Sequence, residues 1–132
     1  MSEHNVALVQ ELYDGWARGD FRAGAELLAP DFEWLQLAGP VEPGSHRGPQ
    51  AVDALRRIFE MWADFSVRAE EFIDAGEKVV VVARTRGTAR DSGTGLDQVF
   101  AYVWTVRDGR LARNEVFVSR EVALRAAGLA DA

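Results

Sequence analysis

The sequence predicts an α+β fold in which a curved antiparallel or mixed sheet wraps around N-terminal helices as a cone-shaped barrel. Helical periodicity is concentrated in the first half of the chain, and β-prone runs follow in the second half. Residues 78–88, KVVVVARTRGT, are the most β-prone run. Two further β-rich runs flank Asp108-Gly109, which is a strong hairpin pattern. Segregated helices and meandering strands are typical of α+β domains, and a sheet curved around helices leaves an open mouth where ligands commonly bind.

The first half of the chain is predicted to hold three helices and one strand. Apolar residues at helical spacing indicate an amphipathic helix over residues 5–18. A short helix over 21–28 and a strand over 32–37 follow. Residues 38–48 are rich in glycine and proline and are predicted to be a loop. Pro49 then begins the third helix, because proline suits the first helical position.

The second half is predicted to hold four strands and a closing helix. A strand over 65–74, with an irregularity, precedes the strand over 78–88, and residues 89–95 form a polar turn. The hairpin occupies residues 98–119. A short helix over 120–127 ends the fold, and Gly128 is placed to cap it.

The first arm of the hairpin alternates large and small side chains. Phe100, Tyr102 and Trp104 share one face, and Val99, Ala101 and Val103 share the other. We expect the large face to line an interior and the small face to pack flat against another element.

Two registers are possible for the second arm of the hairpin. A strict two-residue turn would place Arg113 and Glu115 beside the aromatic residues. A longer turn, with Gly109 in a left-handed bulge, shifts the arm by one residue. We prefer the bulged register because it keeps two charges out of an apolar interior. It brings Ala112, Asn114, Val116 and Val118 to the aromatic face.

Composition narrows the class of protein. The 132 residues are predicted to form one domain over 1–132, with a core from about 5 to 128. A net charge of −6 argues against nucleic-acid binding. No apolar run is long enough to span a membrane, and residues 1–10 lack a signal-peptide pattern, so a cytoplasmic protein is predicted. With no cysteine and two histidines, we expect no disulfide, no transition-metal site and no cofactor.

Seven stretches together carry a family resemblance. They are RGD (18–20), LLAPDFEW (27–34), HRGPQAV (46–52), DAGEKVVVVARTRGT (74–88), VWTVRDGRL (103–111), EVAL (121–124) and AAGL (126–129). In this order and spacing they resemble the SnoaL-like branch of the nuclear transport factor 2-like superfamily over nearly the whole chain. The resemblance implies a cone-shaped α+β barrel that is often dimeric through the outer face of the sheet.

The superfamily includes several chemistries, and the residues at the corresponding positions disfavour two of them. Ketosteroid isomerases carry a carboxylate base where this chain has Gln36, and a protonated acid where it has Tyr102. Limonene-epoxide hydrolases carry an aspartate where this chain has Val116. SnoaL-type cyclases use an acidic residue of the sheet with a histidine, for which Glu115 and His46 are the nearest matches.

Three residues are candidates for a catalytic role. The hydroxyl group of Tyr102 could donate a hydrogen bond to an oxyanion. Arg84 could pair with an anionic ligand if it points inward, although alternation within a valine-rich strand leaves its direction open. His46 lies in the predicted loop near the mouth and could transfer a proton.

The predicted ligand pocket is apolar and aromatic with a few polar groups. Its residues are Trp16, Trp34, Gln36, Phe59, Trp62, Gln98, Phe100, Asn114 and Val116. Four tryptophans in so short a chain suit a flat apolar or aromatic ligand.

Three functions follow as hypotheses. The first is a cofactor-independent isomerase, cyclase or hydrolase that acts on a hydrophobic, polyketide-like or steroid-like molecule. The second is a non-catalytic binder of a small hydrophobic molecule. The third is a protein-interaction module, or homodimer, that uses the outer sheet face. The residues predicted for that surface are Val99, Ala101, Val103, Leu111 and Phe117.

Overall fold

A six-stranded sheet and three α-helices make up the fold in the computed structural model, which describes residues 2–20, 25–36 and 44–129. The helices are α1 (Ser2–Ala17), α2 (Pro49–Met61) and α3 (Arg120–Ala126), and a short 3₁₀ turn covers Ala25–Leu27. The strands are β1 (Leu28–Gln36), β2 (Gly44–Arg47), β3 (Trp62–Ala75), β4 (Lys78–Ala89), β5 (Gly95–Arg107) and β6 (Arg110–Phe117).

The sheet is mixed and open. Its strand order is β2-β1-β6-β5-β4-β3, with β1 parallel to β6 and every other neighbouring pair antiparallel. The pairing of β3 with β4 shifts register twice, and such irregularities bend a strand and increase its twist. The sheet is therefore curved without being closed, and the predicted α+β class is confirmed.

The aromatic face of the sheet and the first two helices enclose the main core. Apolar side chains at helical spacing are buried on both helices, which is the amphipathic pattern that the sequence predicts. These residues are Val9, Leu12, Tyr13 and Trp16 on α1, and Ala51, Ala54, Leu55 and Ile58 on α2. Trp104 of β5 is fully buried among them.

The opposite face of the sheet is covered in part by α3. Ala123 of this helix packs with Val80, Ala101 and Val103 in a second, smaller apolar cluster. The small side chains of β5 therefore let a helix approach closely, as expected from the alternation of large and small residues.

The hairpin places Asn114 and Val116 on the aromatic face, as the preferred register predicts. Tyr102 lies opposite Val116, and Trp104 lies opposite Asn114. The predicted position of the bulge is wrong, however. Asp108 and Gly109 form a tight turn with φ values of 54° and 73°, as a two-residue hairpin turn requires.

The shift of register instead arises at Ala112. Thr105 pairs with Arg113 and Val106 with Leu111, so Ala112 is the extra residue of the second arm. Val118 lies beyond the end of β6 and is 63% exposed, so its predicted place on the aromatic face is also wrong.

The region around β1 and β2 differs most from the prediction. The expected loop over 38–48 contains strand β2, which pairs with β1 through Trp34 and His46. Local composition could not show this, because a glycine-containing edge strand gains its hydrogen bonds from β1 rather than from its own propensity. The expected helix over 21–28 lies partly outside the described residues, and Leu28 belongs to β1, which begins four residues earlier than predicted.

Candidate functional site

An apolar cavity lies between the helices and the aromatic face of the sheet. Among the described residues, eleven line it: Trp16, Trp34, Leu55, Ile58, Phe59, Phe65, Val67, Thr85, Tyr102, Asn114 and Val116. The space between the lining atoms is about 390 Å³, part of it open to solvent, and about 30 Å³ of it admits the centre of a water molecule. No charged side chain belongs to this lining.

Tyr102 brings a hydroxyl group into the wall of the cavity. Its oxygen lies 3.3 Å from the hydroxyl oxygen of Thr85, on the neighbouring strand β4. Burial raises the pKa of Tyr102 to about 12. The phenol is therefore protonated at neutral pH, so it can donate a hydrogen bond but cannot remove a proton from a ligand.

A second phenol lies behind the first. Tyr13 of α1 accepts a hydrogen bond of 2.8 Å from the indole nitrogen of Trp104. The rings of Tyr13 and Tyr102 meet edge to face, with centroids 5.9 Å apart. Burial, together with the neighbouring Tyr102, raises the pKa of Tyr13 well above its usual value. The packing of α1 on β5 thus places a hydrogen-bonded pair of aromatic side chains next to Tyr102.

Asn114 and Thr85 are the two most deeply buried polar residues of the lining, each 1% exposed. Asn114 lies in the middle of the sheet, between Trp34 on β1 and Trp104 on β5. Its side-chain oxygen Oδ1 has no hydrogen-bond partner among the described residues, and the same holds for the indole nitrogens of Trp16 and Trp34. Buried polar atoms normally have partners, so these atoms retain hydrogen-bonding capacity for a bound molecule.

His46 lies beside the cavity. Strand β2 places it opposite Trp34, with the two ring centroids 5.8 Å apart, and its side chain is partly buried. It does not belong to the lining. The backbone of Gln36 pairs with Val116, while the side chain of Gln36 lies outside the described part of the chain.

The sequence leaves the direction of Arg84 open, and the structure places its side chain away from the cavity. On β4, Val79, Val81, Ala83 and Thr85 face the interior, so Arg84 points to the outer face. There it forms two hydrogen bonds with the carboxylate of Asp97, from Nε to Oδ1 at 2.7 Å and from Nη2 to Oδ2 at 3.2 Å. This ion pair leaves Arg84 without a contact to the cavity.

Three other predicted pocket residues lie outside the lining. Gln98 is exposed and lies near the start of β5. Phe100 and Trp62 are buried core residues, and Trp62 stacks on Phe65 with ring centroids 6.4 Å apart. The cavity does include six of the predicted residues: Trp16, Trp34, Phe59, Tyr102, Asn114 and Val116.

Five lining residues were not predicted: Leu55, Ile58, Phe65, Val67 and Thr85. Thr85 could have been found, because it continues the inward alternation of Val79, Val81 and Ala83. The four apolar residues carry no such pattern, because the sequence does not distinguish an apolar side chain in a cavity wall from any other core residue.

Residues 2–20, 25–36 and 44–129 contain neither a metal-ion site nor a membrane-spanning helix. No cluster of three or more histidine, aspartate or glutamate side chains is arranged to hold a metal ion there. Within the same ranges, no helix combines the length and apolar character needed to cross a bilayer.

The fold and the cavity agree with a match to a known family. The family model of the SnoaL-like domain matches residues 9–114, which is most of the chain. The chain therefore belongs to the SnoaL-like domain family. None of the curated proteins matches it.

Solved structures share the fold over nearly their whole lengths. The NTF2-like protein from Burkholderia thailandensis E264 is 28% identical with a TM-score of 0.75, and the alignment covers 96% of this chain and 97% of that one. A hypothetical protein with a ketosteroid isomerase-like fold from Catenulispora acidiphila DSM 44928, in complex with trimethylamine, is 20% identical with a TM-score of 0.72, covering 92% of each chain. TerC, co-crystallised with polyporic acid, is 23% identical with a TM-score of 0.69, covering 94% of this chain and 97% of that one.

Proposed function

We propose that this protein binds a small, neutral and mainly apolar molecule in the cavity between α1, α2 and the sheet. The observation that carries the proposal is the lining: eleven described residues, mostly aromatic or aliphatic, with neutral polar atoms and no charged side chain. An apolar cavity with a few polar groups is the usual form of a small-molecule site. Burial of an unpaired charge in such a cavity is strongly unfavourable, so a neutral ligand is favoured.

Two proteins of the same fold support small-molecule binding. TerC was crystallised with polyporic acid, and the Catenulispora acidiphila protein with trimethylamine. These observations favour a ligand site in this fold. The aromatic wall formed by Trp16, Trp34 and Phe59 favours a flat ligand in this particular chain.

Binding of matched aromatic probes tests the proposal. We expect toluene to bind with a dissociation constant in the millimolar range or below, and benzoate and benzylammonium, which have similar rings, to bind at least about tenfold more weakly. Ligand-observed NMR titration gives the three constants. Equal binding of neutral and charged probes, or no binding of toluene, would contradict the proposal.

A cavity-filling variant locates the site. Val116→Phe adds a ring inside the cavity and is expected to weaken toluene binding at least about tenfold. Val99→Phe makes the same change on the outer face of β5, where Val99 is 39% exposed, and is expected to leave binding unchanged. Circular dichroism confirms that both variants are folded. Equal losses in the two variants would place the site elsewhere.

A catalytic role is the second candidate, and Tyr102 favours it. Its hydroxyl group lies in the lining, is held near Thr85 and stays protonated because burial raises its pKa to about 12. Such a phenol can donate to an oxygen on which negative charge develops, as isomerases, cyclases and hydrolases of carbonyl compounds require. His46, beside Trp34, is the candidate for proton transfer.

Removal of the hydroxyl group of Tyr102 tests the catalytic role. For a substrate that the protein converts, Tyr102→Phe is expected to lower kcat by about 10²-fold, with little change in KM, because the interaction strengthens only in the transition state. Tyr13→Phe is the control, since it removes the same atom from a buried ring outside the cavity lining. A similar kcat in Tyr102→Phe and the unsubstituted protein would exclude this role for Tyr102.

We also propose a homodimer through the outer face of the sheet, with a smaller contact surface than the sequence predicts. Helix α3 covers Ala101 and Val103, and Leu111 is buried in the main core, so these predicted contact residues are occupied within one chain. The part that stays open includes Val99 and the Arg84–Asp97 ion pair. Sedimentation equilibrium checks the proposal, which requires a mass of twice 14.6 kDa, whereas a mass of 14.6 kDa would refute it.

A further inference from the structure

We infer that the ligand carries a hydroxyl group that binds between the amide of Asn114 and the indole of Trp34. The inference rests on the proposed function, because it concerns the same cavity. It goes further by naming the polar group through which the cavity recognises its ligand.

The position of Asn114 is the first observation. The residue lies in the interior of a sheet, with Trp34 and Trp104 as its two cross-strand neighbours. It is 1% exposed, lines the cavity, and its Oδ1 atom has no partner among the described residues. A leucine, which has the same branched shape, would leave no polar atom unpaired at this position, so the amide is unfavourable for folding alone.

The second observation is the indole next to it. Trp34 lies beside Asn114 in the parallel pairing of β1 with β6, so both side chains project from the same face of the sheet. The Nε1 atom of Trp34 is also buried without a partner in the described part of the chain. An acceptor and a donor, each unpaired, thus occur on adjacent residues of one wall.

Neighbouring polar groups are engaged differently. The indole of Trp104 already donates to Tyr13, and the hydroxyl groups of Tyr102 and Thr85 lie within hydrogen-bond distance of each other. The indole nitrogen of Trp16 is also unpaired among the described residues, but Trp16 lies on α1, whereas Trp34 is the cross-strand neighbour of Asn114. Asn114 and Trp34 therefore form the pair of neighbouring unpaired groups on the sheet wall.

The chemistry of the pair selects the ligand group. Oδ1 of Asn114 needs a donor, and Nε1 of Trp34 needs an acceptor. A ketone or an ether can only accept, and an ammonium group can only donate and would bring a charge into an uncharged cavity. A hydroxyl group does both through one oxygen. The aromatic walls make a phenol the simplest complete ligand fragment.

Three probes of similar shape test the inference: phenol, toluene and anisole. Toluene replaces the hydroxyl group by a methyl group, and anisole keeps the acceptor oxygen without the donor hydrogen. Their dissociation constants are measured by ligand-observed NMR titration for the unsubstituted protein and for Asn114→Leu. Comparing ratios between the two proteins cancels the difference in hydrophobicity among the probes.

We expect Asn114→Leu to lower the affinity for phenol relative to toluene by about tenfold, and the affinity for anisole relative to toluene by less than about twofold. An unchanged phenol-to-toluene ratio would overturn the inference while leaving the proposed function intact. Failure of all three probes to bind the unsubstituted protein would overturn the proposed function, and the inference with it. Asn114→Gln, which displaces the amide on a longer side chain, serves as the second variant if Asn114→Leu does not fold. It is expected to lower the same ratio, and an unchanged ratio would overturn the inference.

Discussion

Replacing Asn114 by aspartate is expected to make the stability of the fold strongly dependent on pH between about 4 and 7. The side chain is 1% exposed, and the cavity that it lines offers no cation among the described residues. Burial of a carboxyl group in such surroundings disfavours its ionised form, which raises its pKa to about 7 or above. In the unfolded chain the same group has a pKa of about 3.9.

The direction of the effect follows from proton binding. Below pH about 3.9 the carboxyl group is protonated in both states, so the variant has its full stability. As the pH rises, the unfolded chain loses this proton and the folded protein keeps it. The free energy of unfolding then falls by about 1.4 kcal/mol for each pH unit, up to the raised pKa of the folded state. The loss reaches about 4 kcal/mol at pH 7, a large share of the roughly 5–15 kcal/mol that stabilises a typical domain.

Urea unfolding at pH 4, 5, 6 and 7 measures this dependence. Asn114→Leu is the matched control, because it keeps the branched shape of the side chain and introduces no titratable group. Its stability relative to the unsubstituted protein should not vary with pH, and it should be about 1 kcal/mol more stable because the unpaired amide is gone. Parallel pH profiles for Asn114→Asp and Asn114→Leu would show that position 114 is hydrated in solution, contrary to the structure.

The alternation of side chains predicted much of the site. The alternation of Phe100, Tyr102 and Trp104 correctly predicts the aromatic face of β5. The need to keep Arg113 and Glu115 out of the interior correctly predicts the face of Asn114. The principle that buried charges are avoided thus fixed the register, although the bulge that produces it lies at Ala112 rather than at the turn.

For β4, the sequence pattern does not show which of the two faces points to the interior. Both faces of this strand are apolar, because helices pack on one side and α3 packs on part of the other. Arg84 therefore looked equally suited to the pocket and to the surface. Its partner Asp97 lies on the next strand and becomes visible only when the pairing of β4 with β5 places the two residues together.

Strand β2 is a second feature that local sequence does not predict, and it contributes to the site. The four residues of β2 have weak strand propensity, and their structure depends on hydrogen bonds to β1. This pairing brings His46 against Trp34 at the edge of the cavity. Local sequence predicts a loop at His46, and only the tertiary contact between β2 and β1 places this histidine next to the ligand site.

Truncation of Trp104 is expected to cause a large loss of stability at every pH. The residue is fully buried, and its ring lies 6.0 Å from that of Phe32, 5.8 Å from that of Trp16 and 6.2 Å from that of Tyr13. It therefore joins α1, β1 and β5 beneath the cavity.

Trp104→Ala leaves a large void among these rings and should lower the free energy of unfolding by about 3–5 kcal/mol. Trp104→Phe is the matched control. It keeps most of the apolar volume but removes the N–H group that donates to Tyr13, and should lose only about 1–2 kcal/mol. Urea unfolding at neutral pH measures both variants, and Trp104→Phe remains informative if the alanine variant does not fold. A loss below about 1.5 kcal/mol in Trp104→Ala would mean that the core collapses around the deleted ring instead of keeping a void between α1, β1 and β5.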